Sequence, residues 1–186
     1  MDLTDAIRSL GGHIVRITSG RLPKLPWLTY GAIRFLKQSL PKETKVFEYG
    51  GGMSTLWYEE RCKEVHTVED NSVWYRQLVG RTRTAMVSHC TGRLYIEAIH
   101  AFPNEYFDMV VVDGNLDRQQ CFHEAERHLK PDGFIVVDDS DKEQVGGGPI
   151  YELDQWLATA GVYTLQRLTW LGARLFLGER DHNRSS

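Results

Sequence analysis

The segment Glu48-Tyr49-Gly50-Gly51-Gly52-Met53-Ser54-Thr55 constrains this chain more than any other. It follows an apolar run, Lys45–Tyr49, and precedes a stretch of helical character at residues 54–61. Glycines, having no Cβ, let the chain turn sharply and let its backbone approach a ligand closely. A glycine loop leading from a strand into a helix opens the nucleotide-binding βαβ unit. Glycines alone also build plain turns, so the order of elements gives the loop its meaning.

The sign of the charge around the loop narrows the ligand. Glu48 stands at the end of the strand, where its carboxylate is expected to face the ligand. It would repel a pyrophosphate, and Thr55 replaces the third glycine of the dinucleotide fingerprint. Both features count against a nicotinamide cofactor. A carboxylate instead attracts the ammonium of an amino acid, and S-adenosylmethionine carries one beside its sulfonium. Glu69 closes the next apolar run, Glu64–Glu69, 21 residues beyond Glu48. In such units the ribose-binding acid lies roughly 20 residues along. Glu69 is therefore expected to accept from the ribose hydroxyls, with Asp70 and Asn71 beside the adenine edge. Gly50, Gly51, Gly52 and Ser54 complete the expected cofactor seat.

Short apolar runs and helical stretches alternate beyond the loop. The pattern predicts a helix over 72–83 with Ser72 as its N-cap, a weak strand over 84–88, and a strong strand at Phe107–Val112. A helix follows over 118–129, stopped by Lys130-Pro131-Asp132-Gly133, then a strand over 134–137 and a helix over 150–160 ended by Gly161. Strands over 162–170 and 174–177 are joined by Leu171-Gly172, a link short enough to require an antiparallel hairpin. The expected fold is α/β: a three-layer, Rossmann-like domain with a seven-stranded, mostly parallel sheet. Helices cover both faces, and one strand is antiparallel in a C-terminal hairpin. Residues 1–44 read as a helical extension packed on the core. Helical pieces at 3–10 and 28–40 flank a proline-bearing link, and Ile33, Leu36 and Leu40 lie at helical spacing. Residues 45–178 form the domain, and 179–186 read as a disordered polar tail.

Composition excludes several partners. The chain has 186 residues and a formal charge of -3, with no basic patch for nucleic acid or an anionic membrane. No apolar stretch reaches the roughly 18–20 residues that span a bilayer. The acidic start lacks the basic and apolar regions of a leader, so a cytoplasmic protein is expected. Cys62, Cys90 and Cys121 form neither a disulfide framework nor a zinc pattern and read as reduced thiols.

Taken together, these residues resemble class I S-adenosylmethionine-dependent methyltransferases. Glu48-x-Gly50-x-Gly52-x-Ser54 is similar to their first motif and Glu69 to their ribose acid. Phe107-Asp108-Met109-Val110-Val111-Val112-Asp113-Gly114 resembles their fourth strand, and Leu129-Lys130-Pro131-Asp132-Gly133-Phe134 the turn into their fifth. The resemblance implies methyl transfer, with Asp113 also beside the cofactor.

Asp113 ends one strand, and Asp138, Asp139 and Asp141 follow the next. Carboxylates gathered at neighbouring strand ends repel one another, which a divalent cation or a basic substrate relieves. Here the chain is similar to metal-dependent catechol and caffeoyl-CoA O-methyltransferases, with Asp139 where those carry Asn. Asp117-Arg118 resembles their downstream Asp-Arg, while Leu116 replaces the catechol enzymes' lysine. The resemblance implies Mg²⁺ on Asp113, Asp138 and Asp139, Asp113 and Asp138 as catalytic residues, and a small-molecule methyl acceptor bearing a hydroxyl. The same aspartates could instead cap helices or hold the cofactor's amino-acid part without a metal. Two other functions also stay open: an aminopropyl-type transferase, and a non-catalytic or regulatory protein that keeps the fold.

Overall fold

The computed structural model describes residues 25, 26, 28 and 30–138, and the backbone of 163–170 and 173–180. The expected helices over 3–10 and 150–160, together with Asp139 and Asp141, lie outside the described residues.

Five strands run parallel: β1 (Lys45–Tyr49), β2 (Glu64–Glu69), β3 (Met86–His89), β4 (Phe107–Val112) and β5 (Leu129–Val137), in the order β3-β2-β1-β4-β5. The helices are α1 (Tyr30–Ser39), α2 (Met53–Glu59), α3 (Ser72–Val79), α4 (Arg93–Ile96) and α5 (Arg118–His128). A 3₁₀ turn at Glu97–Ala101 follows α4. By backbone pairing, β7 (Ala173–Arg180) runs antiparallel to β5, and β6 (Tyr163–Trp170) runs antiparallel to β7. β7 continues to Arg180, past the boundary expected at 178. No helix among the described residues is long and apolar enough to cross a membrane.

β1 and β4 are buried on both faces, which explains their near-continuous apolar sequences. Period-two alternation assigns each residue to a face. Val46, Val65, Met109, Val111 and Val136 pack with Trp57, Tyr58 and the α1 residues Ala32, Ile33 and Leu36. On the other face Phe47, Tyr49, Val110, Val112, Ile135 and Val137 pack with Tyr95, Ile99 and the α5 residues Cys121, Phe122 and Ala125. The buried α5 positions Arg118, Cys121, Phe122 and Ala125 follow the helical repeat.

Three local expectations are corrected. Asn71, not Ser72, caps α3: its side chain accepts from the N–H groups of Val73 (2.9 Å) and Trp74 (3.1 Å). The helix ends at Val79, short of the expected 83. Lys130-Pro131-Asp132-Gly133 is not a turn before the strand but a bulge inside it. Phe107 pairs with Leu129 and Met109 already with Phe134, so the proline sits where no ladder bond is needed. Finally, α4 and its 3₁₀ extension were not anticipated, because a four-residue helix carries too little periodicity to detect.

The sheet order reverses between β1 and β4, which makes their carboxyl ends the topological switch point where ligands bind in open α/β sheets. Asn71→Ala should lower unfolding free energy by about 1 kcal/mol through the lost cap. Ser72→Ala should leave it nearly unchanged, as urea titration of both variants will show.

Candidate active site

The ladder continues one step past the strand tips and delivers the site residues together. Gly50 N–H donates to Val68 O (2.9 Å), Asp113 N–H to Tyr49 O (2.9 Å) and Asp138 N–H to Val112 O (3.1 Å). In the alternation, Glu48, Glu69, Asp113 and Asp138 fall on the same sheet face as Val46, Val65, Met109 and Val136.

Gly50 adopts φ +88°, a region that favours glycine. A Cβ there would lie 2.6 Å from Gly114 Cα and N. The loop after β1 therefore rests directly on the loop after β4. A Cβ on Gly114 would in turn fall 1.8 Å from the Tyr95 hydroxyl oxygen. A Cβ on Gly51 would fall 2.6 Å from Leu78 Cδ2 and 2.8 Å from Thr67 Cγ2, whereas one on Gly52 would meet only Ser54 Oγ at 4.0 Å. Backbone contact and positive φ thus demand glycine at position 50, while Gly51 faces side-chain methyl groups.

Two acids grip this loop. Glu69 is 5% exposed. Its Oε2 accepts from Gly51 N–H (2.7 Å) and its Oε1 from Asn71 N–H (2.8 Å). Glu48 holds the loop from beneath. The Thr55 hydroxyl accepts from Gly52 N–H (3.2 Å) and donates to Glu48 Oε2, which Thr67 also reaches at 2.9 Å. Glu48 is fully buried, so it lies under the loop and not on its open side as the sequence suggests. Its Oε1 is buried and has no hydrogen-bond partner. Ser54 is buried near this carboxyl, and Asp70 offers its carbonyl to His89 Nε2 at 3.1 Å.

Burial pushes the Glu48 carboxyl up to about 7, against the pull of Ser54, Thr55 and Thr67, and the Glu69 charge adds to the rise. Glu69 is itself raised by burial, offset by the Asn71 and Gly51 N–H groups. Asp113 is raised well above the carboxylate range by burial and then by Asp138, with Arg118 opposing.

Arg118 is 5% exposed and spans the two strand ends. Its Nε donates to Gly114 O (2.8 Å), Nη1 to Asp138 O and Nη2 to Asp113 O (3.3 Å), with Asp113 Oδ1 3.7 Å away. Asp113 and Asp138 thus meet on neighbouring strands, while Asp139 lies outside the described residues. Among the described residues no cluster of three or more ligating side chains could hold a metal ion. Thr55, Thr67, Tyr95 and Gly114 are site residues that sequence reasoning did not assign. Only Asp117-Arg118, through its likeness to a family pair, pointed toward the arginine.

A cleft of about 300 Å³ opens at the opposite, amino end of the strands, lined by Thr44, Asp108, Lys130 and Phe134 among others. There Lys130 Nζ and Asp108 Oδ1 pair at 2.7 Å, so these charges neutralise each other away from the glycine loop.

The parallel sheet, the switch point and the acid-gripped glycine loop define a Rossmann-like domain of the methyltransferase class. The chain belongs to the methyltransferase-domain family, whose sequence profile matches residues 47–140. Solved structures share the fold. A putative caffeoyl-CoA O-methyltransferase from Staphylococcus aureus is 14% identical; the match covers 96% of this chain and 100% of that one, with a TM-score of 0.67. An O-methyltransferase from Bacillus cereus, in complex with SAH, is 16% identical over 92% of this chain and 90% of its own, also with a TM-score of 0.67. MycE methyltransferase from the mycinamycin biosynthetic pathway, in complex with Mg and SAH, is 15% identical over 94% of this chain and 56% of its own, with a TM-score of 0.62. No curated protein matches the chain.

The buried Glu48 makes stability depend on pH with a definite sign. Unfolded, its carboxyl ionises near 4.5; folded, it ionises near 7. Between these values the native state holds a proton that the unfolded chain has lost, so stability falls as pH rises through this window. Glu48→Gln should remove roughly 3 kcal/mol of that fall. The test is urea unfolding of both proteins at pH 5 and 7.5. An identical pH response in the two would show that Glu48 holds no such proton.

Proposed function

We propose that this protein transfers a methyl group from S-adenosylmethionine to an oxygen of a small hydroxylated molecule. The observation that carries the reading is the pair of acids, Glu48 and Glu69, gripping one glycine loop at the switch point. Glu69 keeps lone pairs free for the ribose hydroxyls after binding Gly51 and Asn71. Glu48 supports the loop from below through Thr55, and its buried carboxyl favours the cofactor's ammonium through its charge, without touching it. Gly50, Gly51, Gly52 and Ser54 form the seat, with Asp70 toward the adenine and Asp113 toward the amino-acid part. The contact of Gly50 with Gly114 brings the cofactor loop beside the end of β4, where the acceptor would be presented.

Asp113 and Asp138 fit a divalent cation in donor chemistry: two hard oxygen donors at adjacent strand ends, in an environment that resists their charge. Asp139 would join them. Bound Mg²⁺ would lower the acceptor hydroxyl's pKa and fix its direction. The chain's own work is alignment: holding oxygen, methyl and sulfur in line can supply up to ~7–11 kcal/mol. Asp113 and Asp138 orient the acceptor in either case. The likeness in fold to O-methyltransferases supports the oxygen acceptor, and the charge of -3 supports a small molecule over a nucleic acid. The reading also extends the five parallel strands to the seven-stranded, mostly parallel sheet; the antiparallel pairing of β7 with β5 and β6 supports it. The free thiols of Cys62, Cys90 and Cys121 support a cytoplasmic site of action.

Titration calorimetry with S-adenosylmethionine and S-adenosylhomocysteine (SAH) tests the cofactor. Wild type should bind both, and Glu69→Ala should bind each at least about tenfold more weakly through two lost ribose bonds. No binding by folded wild type would sink the reading in favour of a non-catalytic role. Methyl transfer to a panel of small hydroxylated acceptors, followed by mass, separates methylation from aminopropyl transfer. With an acceptor found, Asp138→Ala should abolish stimulation by Mg²⁺. Undiminished wild-type turnover in chelator would remove the metal from the proposal.

A further inference from the structure

Arg118 is an unusual residue to find where it is. It opens α5, where a cation opposes the helix dipole, and it is 5% exposed, where a charge is costly to bury. Its ion pair with Asp113 Oδ1 is long, at 3.7 Å, so charge pairing alone is a weak reason for it. A methionine would fill similar volume without the desolvation cost. What only the guanidinium supplies is a planar fork of donors. That fork takes three backbone carbonyls from two strand ends: Gly114 through Nε, Asp113 through Nη2 and Asp138 through Nη1.

One of those carbonyls belongs to a residue packed on two sides. A Cβ on Gly50 would fall 2.6 Å from Gly114 Cα and N, and a Cβ on Gly114 would fall 1.8 Å from the Tyr95 hydroxyl oxygen. Packed protein transmits displacement where it leaves no void. Contacts run without a break from Gly50 to the Gly114 peptide, through Arg118, to the Asp138 carbonyl and the backbone that bears its carboxylate.

We infer that Arg118 is a positioning residue that couples the cofactor loop to the end of β5, so that cofactor seating and placement of Asp138 against Asp113 are one event. This rests on the cofactor reading above and adds a route by which a filled cofactor site organises the acceptor side. Arg118 touches neither ligand in this account; it acts through the Gly114 and Asp138 peptides.

The test uses the full chain, with SAH as the probe. A hydrogen-bonded, buried Arg118 Nε–H should give a protected ¹H–¹⁵N resonance, assigned by its absence from Arg118→Lys. That resonance should move when SAH saturates the wild type. Arg118→Lys, verified as folded by circular dichroism, should bind SAH at least about tenfold more weakly, because an ammonium cannot bridge all three carbonyls. A merely structural arginine would lower the melting temperature on replacement yet leave the wild-type resonance unmoved by SAH. An unmoved resonance, or a folded lysine variant with wild-type affinity, overturns the coupling while leaving the cofactor reading intact. If the lysine variant does not fold, the wild-type resonance decides alone. If SAH does not bind wild type, both readings fall together.

Discussion

The contact of Gly50 with Gly114 sets the geometry on which the site depends. Two peptides from loops 64 residues apart in sequence approach more closely than any side chain would permit. The positive φ of Gly50 is tolerable there because glycine has no Cβ to clash, and the same absence opens room for the facing peptide. Tyr95 then takes the volume that a side chain on Gly114 would need. The switch point between β1 and β4 thereby becomes a rigid junction between the loop that would seat a cofactor and the strand ends that would present an acceptor.

Around this junction the protein concentrates carboxylates and removes them from water. Burial raises the Glu48, Glu69 and Asp113 carboxyls; the Glu69 charge adds to the rise at Glu48, Asp70 to that at Glu69, and Asp138 and Glu48 to that at Asp113. The backbone N–H groups of Gly51, Gly52 and Asn71, with the Thr55 and Thr67 hydroxyls, offset part of that cost. What is left is a site short of positive charge. Such a site favours a ligand that carries its own cation, which links the electrostatics to a sulfonium and an ammonium without any direct contact being assumed.

Much of the fold was legible because its signals are local. β1, β2 and β4 appear with their expected bounds: β1 and β4 are near-continuous apolar runs, and Val65, Thr67 and Val68 give β2 residues that suit a sheet. Of the failures, one was local in cause and two came from the sheet. Asn71 outcompeted Ser72 for the cap by accepting two N–H groups at once. Lys130-Pro131-Asp132-Gly133 has the chemistry of a turn, but β4 pairs on both sides of it, so it was absorbed as a bulge. The Glu48 carboxylate was expected on the open side of the loop. Residue type and position name an acid at a strand end, but do not say which way period two turns it once the register is set.

The sequence by itself determined the alternation of strands and helices, the glycine loop between β1 and α2, and the negative sign of the surroundings. These depend on residues within a few positions of one another, where hydrophobic period and the freedom of glycine act directly. Tertiary structure alone decided that Glu48 is buried against Thr55 and Thr67, that Gly50 meets Gly114, and that Arg118 joins the ends of β4 and β5. Strand order and register are properties of the whole sheet. They bring together groups whose separation along the chain holds no record of their contact.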